Sequence, residues 1–200
     1  MGSLAADHFD RLYRAHADPW RVASDWYERR KRGLLLASLG RERYRHAFEP
    51  GCGEGQLTCC LARRCDRVCA VDISTAAVER CRDRLAAEGM SHVDLLALDL
   101  SAEWLPMPPA GFDLVVVSEL AYYLDAAALT RFLHEADASL VPGGEIVACH
   151  WLPDFDDRMQ STDAVHDAIG SIGDLVPIAR HHETQFRLDV WRRRSPGSKP

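Results

Sequence analysis

The chain has 200 residues, 47% of them hydrophobic and 27% charged, and this composition is typical of one globular domain with a single core. A formal net charge of -6 at pH 7 disfavours nucleic-acid binding, because affinity for phosphate backbones depends on lysine and arginine. No segment has the length and apolarity of a membrane span or signal peptide, so we expect a cytoplasmic protein that binds neither nucleic acid nor membranes.

The seven cysteines indicate neither a disulfide framework nor a metal site. Their number is odd, six of them fall within residues 52–81, and no two have the Cys-x-x-Cys spacing. We therefore expect small buried side chains in a reducing compartment, and no bound metal.

The segment before the first strand is predicted to be helical. We expect a helix over Ser24 to Leu39 and assign residues 1–40 to an N-terminal helical cap. Trp20, Trp26 and Tyr27 offer flat faces on which a sugar ring or adenosine stacks, and anchoring of the helix to the core is the alternative interpretation.

Strand-like and helical runs alternate over the rest of the chain. Runs such as Leu114 to Val117 are apolar without alternation, as in a parallel sheet with helices on both faces. The predicted strands are Ala47 to Glu49, Arg67 to Asp72, Val93 to Leu98, Phe112 to Ser118 and Glu145 to His150. The predicted helices are Gln56 to Arg64, one capped by Ser74 or Thr75 and reaching Leu85, and one from Leu129 to Leu140.

Two further strand candidates, Ile178 to Thr184 and Phe186 to Arg192, are joined by a connection too short for a parallel crossover, so they should pair antiparallel. The sequence thus predicts an α/β fold: a Rossmann-like, seven-stranded, mostly parallel sheet with helices on both faces and an antiparallel C-terminal hairpin. Residues 1–194 should form one domain, followed by a loose tail at 195–200.

A glycine-rich turn follows the first predicted strand. Its spacing is G-x-G-x-G, whereas dinucleotide-binding turns have G-x-G-x-x-G, and acidic residues flank it. A cationic sulfonium cofactor with an ammonium group tolerates these acids better than a pyrophosphate does, which favours S-adenosylmethionine. An ordinary tight turn is the alternative. The candidate cofactor-binding residues here are Glu49, Gly51, Cys52, Gly53 and Gly55.

Acidic residues also end the second and third predicted strands. Asp72, followed by Ile73, is placed to accept hydrogen bonds from both ribose hydroxyls, or to cap the next helix. Asp99, followed by Leu100, is placed to accept a hydrogen bond from the adenine amino group. The alternative is an ordinary acidic residue in a loop. Because the carboxyl ends of parallel strands share one edge, we expect these residues to surround one adenosyl group.

The fourth predicted strand delivers polar and aromatic side chains to the same edge. Ser118 and Glu119 are candidate cofactor contacts, and Glu119 could also orient an acceptor amine. Tyr122 and Tyr123 are expected to form a pocket wall, with a core or interface role as the alternative. Asp113 is expected to keep a structural hydrogen bond.

Together these features resemble the class I S-adenosylmethionine methyltransferases over essentially the whole chain. Within that class, the NodS-like family is the one that the chain resembles, through Asp18-Pro-Trp20, Trp26 to Arg32, Glu49 to Gly55, Ser118-Glu119 with Tyr122-Tyr123, and Val190-Trp191-Arg192. Rhizobial members N-methylate the deacetylated glucosamine end of chitin-oligosaccharide nodulation factors. The resemblance implies an N-terminal segment that folds over the cofactor and shapes the acceptor pocket, and a small-molecule amine as acceptor.

An amine must lose its proton before it attacks a methyl carbon, so a nearby base would assist. His150 is the first candidate, Glu119 the second and Asp154 the third. Trp151 is expected to contact the acceptor together with Trp20, Tyr27, Tyr122 and Tyr123. One arginine of the run from Arg29 to Arg32 is expected to bind the cofactor carboxylate. A hydroxyl acceptor, a non-catalytic binding module and a nicotinamide-dependent oxidoreductase remain as alternatives, and the sequence favours no oligomeric state.

Overall fold

The computed structural model of the chain describes residues 4–105 and 108–197, so residues 198–200 of the expected tail lie outside it. Seven strands form one sheet in the order β3-β2-β1-β4-β5-β7-β6. The first five strands run parallel, and β7 lies antiparallel between β5 and β6. The predicted fold class is confirmed. The strands are β1 Tyr44–Pro50, β2 Cys65–Asp72, β3 Val93–Ala97, β4 Phe112–Ser118, β5 Leu140–Trp151, β6 Leu175–His182 and β7 Phe186–Arg193.

Four of the described helices begin at a capping side chain. The carboxylates of Asp25 and Asp125 and the hydroxyls of Ser74 and Ser161 each accept a backbone N–H in the first turn of the following helix, which satisfies a donor that has no partner within the helix. The helices are α1 Leu4–Ala15, α2 Trp26–Ser38, α3 Gln56–Ala62, α4 Thr75–Ala87, α5 Ala126–Ser139 and α6 Thr162–Gly170, with a short 3-10 turn at Ala121–Tyr123.

Both faces of the sheet are covered, as the apolar strands predicted. Along β4, Leu114 and Val116 pack on one face together with side chains from α2, α3 and α4. Val115 and Val117 pack on the opposite face with side chains from α5 and α6. The alternation of strand side chains thus places β4 between two apolar layers.

Some element boundaries differ from the prediction. Strand β5 begins at Leu140 rather than Glu145, because Leu140 pairs with Phe112 before the ladder shifts register. Helix α6 was not predicted, although Ser161 caps it and Val165 and Ile169 bury its apolar face. Asp113 has its predicted structural role, since its carboxylate accepts the backbone N–H groups of Arg45 and His46.

All seven cysteines are free, and six of them are buried, as expected for small core side chains. Within the two described ranges, no helix combines the length and apolarity needed to cross a membrane.

Candidate active site

A cavity of about 920 Å³ lies beyond the carboxyl ends of β1, β2 and β4. The strand order reverses between β1 and β4, and ligands of open α/β sheets bind at such a switch point. Residues from α1 and α2 line the opposite side of the cavity, so the N-terminal segment covers it.

The turn after β1 needs glycine at two positions. Gly51 has φ +72°, and a Cβ there would lie 3.2 Å from Leu120. Gly53 has φ +53°, and a Cβ there would lie 2.8 Å from the Tyr13 hydroxyl oxygen. Both glycines and Cys52 line the cavity, so the backbone of this turn forms part of its surface.

Gly55 is required for a different reason. It does not line the cavity; it precedes α3 with φ +85°. A Cβ there would lie 2.6 Å from the Cys81 sulfur on α4, so this glycine allows α3 and α4 to pack closely.

Asp72, at the end of β2, contacts the glycine turn directly. Its Oδ2 accepts the Gly53 N–H at 2.8 Å and its Oδ1 accepts the Ser74 N–H at 2.9 Å. Burial raises the pKa of this carboxyl to about 6, although the backbone donors act against that shift. A carboxylate has about four lone-pair sites, so both oxygens keep capacity for hydroxyl donors in the cavity.

Glu49 presents a buried carboxylate to the same space. It is only 2% exposed, it lines the cavity, and its Oε2 has no hydrogen-bond partner in the structure. Burial raises its pKa to about 8. A buried carboxylate with an unsatisfied oxygen favours a cationic ligand beside it.

The remaining candidate cofactor residues line one side of the cavity. Ile73 and Leu100 supply apolar surface, and Asp99 lies between β3 and the following turn, where its Oδ1 accepts the backbone N–H and the hydroxyl of Ser101. Ser118, the last residue of β4, also lines it. The structure thus brings together the strand-end residues that the sequence predicted as neighbours.

Glu119 follows β4 in a left-handed backbone conformation with φ +53°, which is uncommon for a residue other than glycine. Three donors hold its carboxylate. Oε1 accepts from the Lys31 ammonium at 2.6 Å, and Oε2 accepts from the Trp151 N–H at 3.1 Å and from the Tyr122 hydroxyl. These contacts fix a strained residue at the cavity wall.

Aromatic side chains form another wall of the cavity. Tyr122, Tyr123 and Trp151 line it as predicted, and Phe155 packs against both tyrosines with ring centroids 5.0 and 5.5 Å apart. Trp20 lines the cavity from the N-terminal segment and remains 42% exposed. The space beside Glu119 is therefore both acidic and aromatic.

Helix α1 closes the cavity through one carboxylate and two aromatic rings. Asp10 accepts the Ser74 hydroxyl at 2.5 Å and the Ala76 N–H at 3.1 Å, which fixes α1 at the beginning of α4. The Phe9 ring contacts Tyr123 at 5.2 Å, and Tyr13 is buried beside Gly53. No motif or spacing in the sequence marks these three α1 residues as part of the site.

Besides Gly55, the predicted site residues His150 and Tyr27 lie outside the cavity. His150 is fully buried; its Nε2 faces the Ala121 N–H at 3.3 Å and its Nδ1 lies 3.0 Å from His166, so neither ring nitrogen is open to an acceptor. Tyr27 does not line the cavity either, and its ring packs against Trp151 and Phe186. Apolar packing, rather than ligand contact, determines the position of Tyr27.

The basic run on α2 divides between several partners. Arg29 bonds to the Ser24 carbonyl, and Arg30 forms a bidentate pair with Glu183. Of the three arginines in this run, only Arg32 lines the cavity.

Comparisons with known proteins agree with this geometry. A profile of the methyltransferase domain family matches residues 47–144, which include the glycine turn, Asp72 and Glu119. A Pseudomonas syringae protein of known crystal structure, assigned as a methyltransferase, is 46% identical over 84% of this chain and 100% of its own, with a TM-score of 0.71. The chain belongs to the class I S-adenosylmethionine-dependent methyltransferases. Its predicted likeness to the NodS-like family is confirmed by the relatives described next.

Nodulation protein S of Sinorhizobium fredii is 33% identical to this methyltransferase over 66% of the chain, and that of Rhizobium tropici is 34% identical over 73%. The matches span 60% and 61% of those two relatives. The N-methyltransferase NodS of Bradyrhizobium japonicum WM9, solved with S-adenosyl-L-homocysteine, is 24% identical over 96% of this chain and 99% of its own, with a TM-score of 0.79. That likeness supports the fold.

The cavity of the methyltransferase fits S-adenosylmethionine, the cofactor of its class. The unsatisfied buried oxygen of Glu49 suits a cationic group, and the glycine turn leaves a surface that side chains would fill. The carboxylate of Asp72 lies against that turn, so ribose hydroxyls bound there would contact both the carboxylate and the turn.

Proposed function

We propose that this methyltransferase N-methylates a small-molecule amine, such as an amino sugar or a glycolipid-like acceptor. The observation that carries the proposal is the Glu119 carboxylate, held at the cavity wall between the strand ends and the aromatic side chains. A carboxylate attracts an ammonium group and accepts its proton, whereas a hydroxyl acceptor gains no such attraction. The name of the NodS relative, an N-methyltransferase, supports the same acceptor class.

The cofactor supplies an electrophilic methyl group on a positively charged sulfur when it is bound. We assign Asp72 to the ribose hydroxyls, Asp99 to the adenine amino group, and Ile73 and Leu100 to the faces of the adenine ring. The Glu49 carboxylate would balance the cofactor cation, and Arg32 would bind its carboxylate in bidentate geometry.

Glu119 is assigned as the group that receives the acceptor proton. Its Oε2 already accepts two hydrogen bonds, but its Oε1 accepts only the one from Lys31, so Oε1 keeps a lone pair for the acceptor. When the ammonium N–H bond breaks, the electron pair stays on nitrogen and the proton forms an O–H bond at Oε1. The amine is then a nucleophile.

Tyr122, Tyr123, Trp151 and Trp20 are assigned to acceptor binding, since they line the same cavity as Glu119. Their rings exclude water from the amine and give a sugar ring flat surfaces to stack against. His150, fully buried beneath this wall, is assigned a supporting role through its contact with the Ala121 N–H.

We also infer a cytoplasmic location, which the seven unpaired cysteines support.

The test compares a glucosamine oligosaccharide that carries one free amine with its fully N-acetylated counterpart. We expect methylation of the free amine alone, and we expect Glu119→Gln to lower kcat by about 100-fold, the usual contribution of a proton acceptor. Asp156→Asn is the matched control, because this exposed carboxylate lines the cavity but has no assigned role in the chemistry. Mass spectrometry locates the methyl group, and methylated hydroxyls would identify an O-methyltransferase instead.

A further inference from the structure

Three charged side chains from two distant parts of the chain meet at the cavity wall. The ammonium of Lys31, on α2, lies 3.0 Å from Glu28 Oε1 and 2.6 Å from Glu119 Oε1. The Lys31 side chain is only 7% exposed, and all three residues line the cavity. Lysine is rarely buried to this degree unless it is paired, so the two carboxylates account for its position.

The charges of this cluster do not cancel. Two carboxylates and one ammonium leave one net negative charge beside the cavity. Burial alone would lower the pKa of Lys31, but Glu119 and Glu28 raise it above its ordinary value, so the ammonium form persists. The other titratable or charged groups that face the cluster come from three elements. They are Tyr27 and Arg32 on α2, Tyr122 and Tyr123 after β4, and Cys149 and His150 on β5.

We propose that Lys31 is a positioning residue that sets the charge of the acceptor site: with Glu28 and Glu119 it forms a cluster that binds one ammonium group and keeps the Glu119 carboxylate directed at it. This inference rests on the proposed function. With the acceptor bound, negative and positive charges alternate in the order Glu28, Lys31, Glu119 and substrate ammonium. Each cation then has an anionic neighbour, and the site becomes neutral.

Proton transfer preserves that neutrality. The substrate N–H bond breaks, the electron pair stays on nitrogen, and an O–H bond forms on Glu119. Glu28 and Lys31 remain as a neutral pair. Without Lys31, Glu28 and Glu119 would repel each other, and one of them would hold a proton before the acceptor arrived.

The test restores the charge of the cluster by a second substitution. Lys31→Met removes the ammonium and keeps an unbranched side chain; we expect kcat/KM for the amine at pH 7 to fall about tenfold or more, with the acidic limb of its pH profile moved upward. The double variant with Lys31→Met and Glu28→Gln keeps only the Glu119 carboxylate, so its cluster has the same net charge as the native cluster. Its kcat/KM should recover most of that loss. Lys31→Arg should stay close to the native profile.

Glu28→Gln alone makes the cluster neutral, and we expect it to raise KM for the amine about tenfold while kcat changes little. This variant keeps the proposal testable if Lys31→Met does not fold. The affinity for S-adenosylhomocysteine should stay within about twofold of native in all four variants, because the proposal gives Lys31 no contact with the cofactor.

Two results would overturn the proposal. If the affinity for S-adenosylhomocysteine falls in step with activity, Lys31 is a cofactor ligand. If the double variant is no more active than Lys31→Met, the cluster is only structural. Failure of the native protein to methylate any amine would instead contradict the proposed function, so the two failures are distinguishable.

Discussion

The carboxyl group of Glu49 links cofactor binding to pH. Burial raises its pKa to about 8 in the free protein, so it is largely protonated at pH 7. The ammonium group of S-adenosylhomocysteine, which has no sulfonium charge, favours the ionised form of Glu49 and lowers that pKa, so binding should release a proton. Affinity for S-adenosylhomocysteine should therefore rise with pH, by up to about tenfold per unit, and level off above pH 8.

Calorimetry in buffers with different heats of ionisation measures this proton release. Glu49→Gln should flatten the pH dependence, while Glu88→Gln, an exposed carboxylate paired with Arg63, should leave it unchanged. A Glu49→Gln variant with the native slope would refute the assignment.

Two glycines in one turn should respond differently to the same substitution. Gly53→Ala should weaken S-adenosylhomocysteine binding about tenfold or more, because its Cβ would meet Tyr13 at the cavity surface. Gly55→Ala should mainly lower Tm, because its Cβ would meet the Cys81 sulfur between two helices.

Adding Cys81→Ala to Gly55→Ala should restore part of the lost Tm. A left-handed alanine would still cost about 1 kcal/mol, so recovery should be incomplete. Thermal unfolding and binding of S-adenosylhomocysteine, measured on the same variants, separate the two effects. Equal losses of affinity in both glycine variants would argue against this division.

At the residue scale, local signals predicted the cofactor side of the cavity better than the acceptor side. Gly51 and Gly53 follow β1 and Asp72 ends β2, and the carboxyl end of a strand determines where the adjoining residues lie. The role of Lys31 could not be predicted, because it stands in a run of arginines and only the packing of α2 against Glu119 decides which side chain of that run is buried. His150 lies one residue before the end of β5, whereas the prediction ended the strand at His150, and its pairing with His166 depends on the unpredicted helix α6.

At the element scale, the carboxylate of Asp10 joins helix α1 to the beginning of α4, in addition to the packing of Phe9 and Tyr13. Asp10 accepts hydrogen bonds from Ser74, Thr75 and Ala76 at the beginning of α4, and these bonds lower its pKa to about 2 although burial acts in the opposite direction. Removing this carboxylate leaves the first turn of α4 without these acceptors.

Asp10→Ala should therefore speed amide hydrogen exchange in α1 and weaken S-adenosylhomocysteine binding by about three- to tenfold, the effect of losing about 1 kcal/mol of capping. Asp7→Ala is the matched control, since Asp7 lies exposed on the same helix. If both variants exchange equally fast, the contact with α4 does not hold α1 in place.

Whether a segment forms a helix or a strand could be predicted where its hydrophobic pattern extends over many residues or where the connection between two strands is short. The C-terminal hairpin followed from its short connection, and β7 does lie antiparallel between β5 and β6. The nine-residue α6 was missed because its apolar face shows in only a few positions, and its cap is a single serine at 161. The early start of β5 depends on pairing with β4, which no local pattern encodes.

At the scale of the whole molecule, the acceptor side of the cavity combines α1, α2, the turn after β4 and residues 151–159. These segments are far apart in sequence, so no local motif describes their shape together. The parallel direction of the first five strands, in contrast, is indicated by the alternation of strands and helices along the chain.

The acidic character of the molecule should also affect how the acceptor arrives. The net charge is -6, and Asp156 and Asp157 line the cavity as exposed carboxylates. Such a field attracts an ammonium acceptor over distances of about 10 Å at 0.1 M salt, and added salt screens it. KM for the amine should therefore rise with ionic strength while kcat stays nearly constant.

Asp156→Asn should reduce this salt dependence, because it removes a charge at the cavity. Asp66→Asn changes the net charge by the same amount at the beginning of β2, outside the cavity lining, and should leave the dependence close to native. Initial rates over a series of sodium chloride concentrations measure the effect. Equal changes in both variants would mean that the total charge, rather than the carboxylates at the cavity, attracts the acceptor.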